Sequence, residues 1–274
     1  MSVPKGEFSK LPSGLTLHYH RVGEGTPVMF IHGSGPGGSG YSNFKGNYLA
    51  LAEGGYDVLV PDLPGYGYSD KPLEAEFHLN YMVDALAELA EQLELGPMAL
   101  IGNSMGGAAA ILFASRFPEK VSRLVLMAPG GLESRDTYMQ MRGIRRMMKA
   151  IYSPDGITLE SMRKVFELQV YDPASVSAEI IEERFAMALE QPRRVFETMN
   201  VPSQLEALSQ LKVPVYGFWG MNDQFCPVSG ATTLATECPD VRVTLVGRCG
   251  HWVMVEHEDW FNRTCLDFLN EGRP

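Results

Sequence analysis

The apolar run Met98-Ala99-Leu100-Ile101 passes without a spacer into Gly102-Asn103-Ser104-Met105-Gly106, and then into a small-residue stretch that ends at Pro118. A short apolar run bounded by glycine reads as a buried strand. The stretch 106–117, small and apolar on one side, reads as a helix. The pentapeptide between them must therefore be a tight strand-to-helix turn. This ties the chain to a fold in which strands alternate with covering helices. The same rhythm runs through the N-terminal half. Residues 15–19, 27–31, 57–60, 98–101 and 121–127 predict strands. A helix is predicted from Asn80, as its N-cap, to Gly96-Pro97. Strands separated by helices at this spacing imply right-handed crossovers and a parallel sheet covered on both faces.

The rhythm breaks near Gly130-Gly131. Residues 133–202 carry no strand-like run. They are Met-rich, with Met141, Ile144, Met148 and Ile151 at helical spacing. Strands return at 213–219 and 241–246, with a closing helix at 260–269. The expectation is an α/β core in two parts, 1–132 and 203–274, interrupted by an all-helical insertion at 133–202. The Met-rich stripe is read as packing. Arg142, Arg145, Arg146 and Lys149 are read as a solvated face.

The chain has 274 residues and a net charge of −10, with no Lys/Arg block. Such a balance repels phosphate backbones and speaks against nucleic acid as a partner. Cys226, Cys238, Cys249 and Cys265 form no C-x-x-C pair, so neither a disulfide scaffold nor a zinc knuckle is expected. There is no apolar leader at the N-terminus and no run approaching 18 apolar residues. A reducing, cytoplasmic setting is the expectation, with no membrane association.

The pentapeptide is a G-x-S-x-G motif in the strand–turn–helix setting of a nucleophile elbow. Such a turn would expose Ser104 Oγ at the carboxyl edge of the sheet. The competing reading is a plain glycine-rich turn. A serine nucleophile needs a base, and the base needs an orienting acid. His18 and His20 read as surface or cross-strand residues, His32 as structural, and His78 as part of a polar loop. His257, between Glu256 and Glu258, reads as solvated. His251 follows the last strand in a glycine loop and is the expected base. Asp223, just after the strand at 213–219, is the expected acid. Asp62 reads as a loop residue bonding backbone. The order Ser…Asp…His is that of α/β-hydrolases. The oxyanion donors expected are the Met105 N–H and the Ser34 N–H.

These segments resemble the α/β-hydrolase superfamily, and more narrowly its meta-cleavage product hydrolases. The resemblance rests on His32-Gly33-Ser34-Gly35-Pro36-Gly37 with Ser42-Asn43-Phe44, and on Gly102-Asn103-Ser104-Met105-Gly106-Gly107. It rests also on Trp219-Gly220 with Asp223, Phe225 and Pro227, and on Cys249-Gly250-His251-Trp252. Asn222 and Ser34 depart from the residues that many relatives carry there. The resemblance implies an α/β-hydrolase fold, a mostly parallel sheet flanked by helices with an inserted helical lid. It implies serine-dependent cleavage of a carbon–carbon bond in a 2-hydroxy-6-oxohexa-2,4-dienoate. It also implies substrate contacts at Asn43, Asn103 and Trp252, with Gly33 and Gly35 beside them. No metal or organic cofactor is implied, and the enzyme is expected to be a homo-oligomer, a dimer or tetramer.

Arg184 falls in a segment that resembles the family's substrate-binding arginine. Independently, it lies within an apolar arc of Ile180, Ile181, Met187 and Ala188, without an acid at i±3 or i±4. A cation on an inward face without a local partner calls for an anion. The competing reading is an arginine that snorkels to solvent or to a distant carboxylate. Two other functions use the same features: a serine carboxylesterase with the same triad, and a non-catalytic small-molecule binder on this fold.

Overall fold

Residues 4–272 are described in a computed structural model. Among them eight strands form one sheet: β1 (Glu7–Lys10), β2 (Thr16–Val22), β3 (Thr26–Ile31), β4 (Tyr56–Pro61), β5 (Met98–Asn103), β6 (Val121–Met127), β7 (Val215–Gly220) and β8 (Val241–Val246). Their order is β1-β2-β4-β3-β5-β6-β7-β8. β1 and β2 are antiparallel to their neighbours, and the six strands from β4 to β8 run parallel. Every residue of β5 is buried, as expected for a central strand covered on both faces. Met98 and Leu100 pack into one apolar cluster, Ala99 and Ile101 into another on the opposite face.

The helices supply those two covers. α1 (Gly40–Phe44) and α2 (Tyr48–Glu53) follow β3. α3 (Leu79–Gln92) and α4 (Met105–Arg116) flank β5 in sequence. Between β6 and β7 the chain runs through α5 (Arg135–Gln140), α6 (Arg142–Ile151), α7 (Leu159–Phe166), α8 (Ala178–Leu189), α9 (Arg194–Thr198) and α10 (Leu205–Ser209). α11 (Ser229–Glu237), α12 (Val253–Glu256) and α13 (Glu258–Asn270) complete the order.

Several expectations shift. β1, α1, α2 and α11 lie where no element was expected. The N-cap of α3 is His78, not Asn80: His78 Nδ1 accepts from Tyr81 N at 3.1 Å, doing the work of a short polar oxygen. His18 and His20 are buried on β2 opposite Phe8 and Val60, so the cross-strand reading holds and the surface one does not. The His18 ring is held by Asp62 Oδ2 at 2.8 Å. Asp62 also accepts from Gly40 N and Tyr68 N, so it does bond backbone. His257 is half-buried instead of solvated. Its Nε2 is enclosed by neighbours, and Glu256 points away to accept from Gly250 N and Tyr171 N. Ile144, part of the expected packing stripe, faces a cavity together with Met147.

Candidate active site

The turn between β5 and α4 gives Ser104 a backbone that side chains seldom adopt, with φ +57°. Such a conformation costs about 1–3 kcal/mol and persists only where the surroundings impose it. Here Ser104 N donates to Met127 O at 2.9 Å, and Gly130 N donates to Ser104 O at 3.0 Å. The glycines on either side are required by close approach. A Cβ on Gly102 would stand 2.4 Å from Gly106 O, and one on Gly106 would stand 2.0 Å from Ile31 O.

β7 and β8 end at the same edge of the sheet, because all three strands run parallel. The loop after β7 carries Asp223 and the loop after β8 carries His251. Both are buried, and Asp223 Oδ2 lies 2.7 Å from His251 Nδ1. Asp223 Oδ1 accepts from Phe225 N at 2.7 Å and Cys226 N at 2.9 Å, which fixes the carboxylate. A carboxylate facing Nδ1 requires that nitrogen to carry the proton, leaving the Nε2 lone pair as the basic atom. Ser104 and His251 line one cavity with Gly33, Ser34, Gly35 and Asn43.

At the polar end of this cavity lies Arg184, from α8, almost fully enclosed. Its Nη1 donates to Asn43 Oδ1 at 2.9 Å. Asn43 Nδ2 reaches Asn103 Oδ1 at 3.5 Å, and Asn103 Nδ2 donates to Met127 O at 3.3 Å. The guanidinium carbon stands 5.4 Å from the ring centroids of both Phe166 and Trp252. Its Nε is buried without an acceptor. Burial pushes the Arg184 pKa down to about 10, opposed by neighbouring Glu183. Glu183 itself faces Lys45, at 4.0 Å. Arg184 therefore neither reaches solvent nor pairs with a carboxylate among the described residues.

The loop after β3 is tied from several sides. Tyr66 Oη donates to Ser34 O, and Gly37 N donates to Gln191 Oε1. His32 is structural: Nε2 accepts from Leu63 N and Nδ1 donates to Gly33 O, while burial lowers its pKa to about 4. A second, wider cavity of about 430 Å³ opens from Ser34, Ser104 and Met105 on the other side of the serine. Its walls include Tyr138, Ile144, Met147, Met199, Val201 and Pro202. The Cys226 thiol lies there beside the Ser104 hydroxyl. Burial raises its pKa well above the usual value, so it stays protonated. The same holds for Cys249, buried next to His251.

The structure thus brings together Ser34, Met105, Ser104, Asp223, His251, Asn43, Asn103, Arg184 and Trp252, with Gly33 and Gly35. Sequence reasoning missed Gln169 and Met147 in the same cavity, and Phe225, named only as part of the acid-loop motif, lines it too. Met147 is an apolar residue in a Met-rich helix, and nothing in its spacing separates a cavity wall from core. Gln169 carries no motif at all.

The residues 26–206 match the family model for the α/β-hydrolase fold. A 2-hydroxy-6-oxo-6-phenylhexa-2,4-dienoate hydrolase of Burkholderia cepacia is 34% identical over 95% of this chain and 93% of its own. A 2-hydroxy-6-oxononadienedioate/2-hydroxy-6-oxononatrienedioate hydrolase of Comamonas testosteroni is 34% identical over the same shares. Among solved structures, a meta-cleavage product hydrolase of Pseudomonas fluorescens superposes with a TM-score of 0.86 at 31% identity, covering 99% of both chains. A buried His–Asp pair beside an elbow serine, in a chain matched end to end by these relatives, leaves no ambiguity of lineage: the chain belongs to the α/β-hydrolases, among the meta-cleavage product hydrolases.

Proposed function

We propose that this enzyme hydrolyses the C5–C6 bond of 2-hydroxy-6-oxohexa-2,4-dienoates, yielding a 2-hydroxydienoate and a carboxylic acid. The observation that carries this reading is Arg184. A buried cation with no carboxylate partner among the described residues stands in one cavity with a serine and a His–Asp pair. An esterase for simple neutral esters has no use for it. A dienoate carboxylate would pair with it, beside Asn43, Asn103 and Trp252, with the Gly33 and Gly35 backbone alongside.

The chemistry follows from the electron demand of the step. A carbon leaving group departs only if its electron pair is delocalised. The proton on the 2-hydroxyl is lost and one is gained at C5, giving the 2,6-diketone. His251 Nε2, its tautomer set by Asp223, takes the Ser104 proton as Oγ bonds to C6. The N–H groups of Ser34 and Met105 are the oxyanion donors in this reading. Collapse of the tetrahedral carbon breaks C5–C6, and the pair passes through the C3–C4 double bond to the 2-oxygen. Protonation releases the hydroxydienoate. Water, deprotonated by His251, then cleaves the acyl-serine to the acid.

The helices at 133–202 serve as a lid over both cavities in this reading. The wider cavity would take the 6-substituent. Its apolar walls and size suit an aryl or branched alkyl group, since a dry cavity of about 150 Å³ already admits benzene. We place the enzyme in the cytoplasm, in keeping with four free, buried thiols, and as a homo-oligomer, for which the open edge of β8 with its exposed Leu245 offers a surface. Bleaching of the yellow dienolate by the enzyme, and its loss in Ser104→Ala, tests the assignment. Fast turnover of nitrophenyl esters with no bleaching would overturn it.

A further inference from the structure

Gln169 stands in the active cavity with its side chain unaccounted for. Its backbone carbonyl accepts from His251 N at 2.7 Å and Trp252 N at 3.1 Å, so its position is fixed relative to the base. The residue is about nine-tenths buried and lines the cavity with Arg184, Ser104 and His251. Its Oε1 is enclosed and has no donor among the described residues. A buried amide oxygen without a partner is costly, and such a group at a functional site points to a ligand that completes it.

The missing partner must be a hydrogen-bond donor. The carboxylate and the 6-ketone of a dienoate only accept. The 2-hydroxyl is the donor on that skeleton, and it sits one carbon from the carboxylate that Arg184 would hold. We propose that Gln169 is a substrate-positioning residue whose carboxamide accepts a hydrogen bond from the 2-hydroxyl of the dienoate, selecting the protonated dienol on binding. This rests on the dienoate reading above. Arg184 then reads the carboxylate and Gln169 reads the adjacent enol, so the pair recognises a 2-hydroxy-2-enoate rather than any carboxylate.

The test uses Gln169→Met, which keeps length while removing the amide, and Gln169→Glu as a second variant. In a Ser104→Ala background, the bound dienoate is titrated by its absorption. Loss of the acceptor favours the dienolate, so Gln169→Met lowers the pH midpoint of the bound chromophore by about one unit, a tenfold change. In the active enzyme the same change raises KM for the dienoate roughly 5- to 10-fold. Nitrophenyl ester turnover stays within about twofold, and the melting temperature holds or rises. Gln169→Glu, which sets a carboxylate beside the substrate's own, raises KM further. An unmoved chromophore midpoint, or dienoate and ester activities that fall together, would overturn the assignment. Failure of Ser104→Ala to bind any dienoate would instead sink the substrate reading itself.

Discussion

Replacing Arg184 by methionine should make the enzyme more stable and much less active. The guanidinium falls from its ordinary 12.5 to about 10 because burial strips its water away. At about 1.4 kcal/mol per tenfold change in acid constant, that is a penalty of about 3 kcal/mol on the folded cation. Arg184 stays charged in both the folded and unfolded chain near neutrality, so the penalty is constant from about pH 5 to 8. The two ring contacts return about 1 kcal/mol. Arg184→Met removes the charge at similar length, leaving a net gain of about 1–2 kcal/mol, in line with buried-ion replacements elsewhere. For a chain of this size that is a rise of roughly 2–6 °C in melting temperature. Binding a substrate carboxylate would relieve the same penalty in the native enzyme. The variant should therefore lose about 3 kcal/mol, roughly 100-fold, in kcat/KM for the dienoate. Ester turnover should change by less than about threefold. Calorimetry and the two steady-state assays measure all three. A lower melting temperature, with both substrates losing activity in step, would show that Arg184 holds the fold together, and the reasoning would fail.

Other perturbations separate the remaining parts. Asp223→Asn keeps an acceptor for Phe225 N and Cys226 N but presents the wrong partner to Nδ1, so kcat on both substrates should drop by about 10⁴ with little change in stability. Gly106→Ala drives a methyl group into the Ile31 carbonyl, and the expected result is loss of soluble, cooperatively unfolding protein, read by expression and urea denaturation. His32 is held neutral, its folded pKa of about 4 lying below the unfolded 6.5. Its contribution is present above pH 6.5 and is lost as pH falls towards 4, by about 3 kcal/mol, so His32→Asn should flatten the urea stability profile across that window. Met199→Trp would fill part of the wider cavity and should cut turnover of a 6-phenyl dienoate about tenfold or more relative to a 6-methyl one, measured as the ratio of kcat/KM values.

The sheet was legible because its strands are buried on both faces. PVMFI, DVLV, MALI and VSRLVLM each carry three or more consecutive apolar residues, and punctuation by glycine and proline marks several of their ends. β1, exposed at three of its four positions, carries no such signal. α1 and α2 are too short for helical periodicity to show. The places of Ser104, Asp223 and His251 were legible for a different reason. Each lies directly after a strand, and parallel strands deliver their ends to one edge whatever the loops do. Arg184 was visible because a charge interrupts an apolar arc. Gln169 was not, since its place depends on how a loop returns to the sheet, and that path is set by tertiary contacts rather than by local sequence. The surface alternative for His18 and His20 failed because imidazoles on an edge-side strand look wettable, while Asp62, 44 residues from His18, holds its ring.

The carbonyl of Gln169 clasps two successive amides of the base loop, and this limits how the enzyme can breathe. A swing of the segment after α7 away from the sheet would pull on the His251 loop, and with it on the imidazole's bond to Asp223. The start of α6 is tied instead to the acid's loop, where Gly143 N donates to Gln224 O at 2.7 Å. The stretch around Met199, which also lines the wider cavity, holds neither loop by a backbone bond among the described residues, so displacement there would leave the proton relay armed.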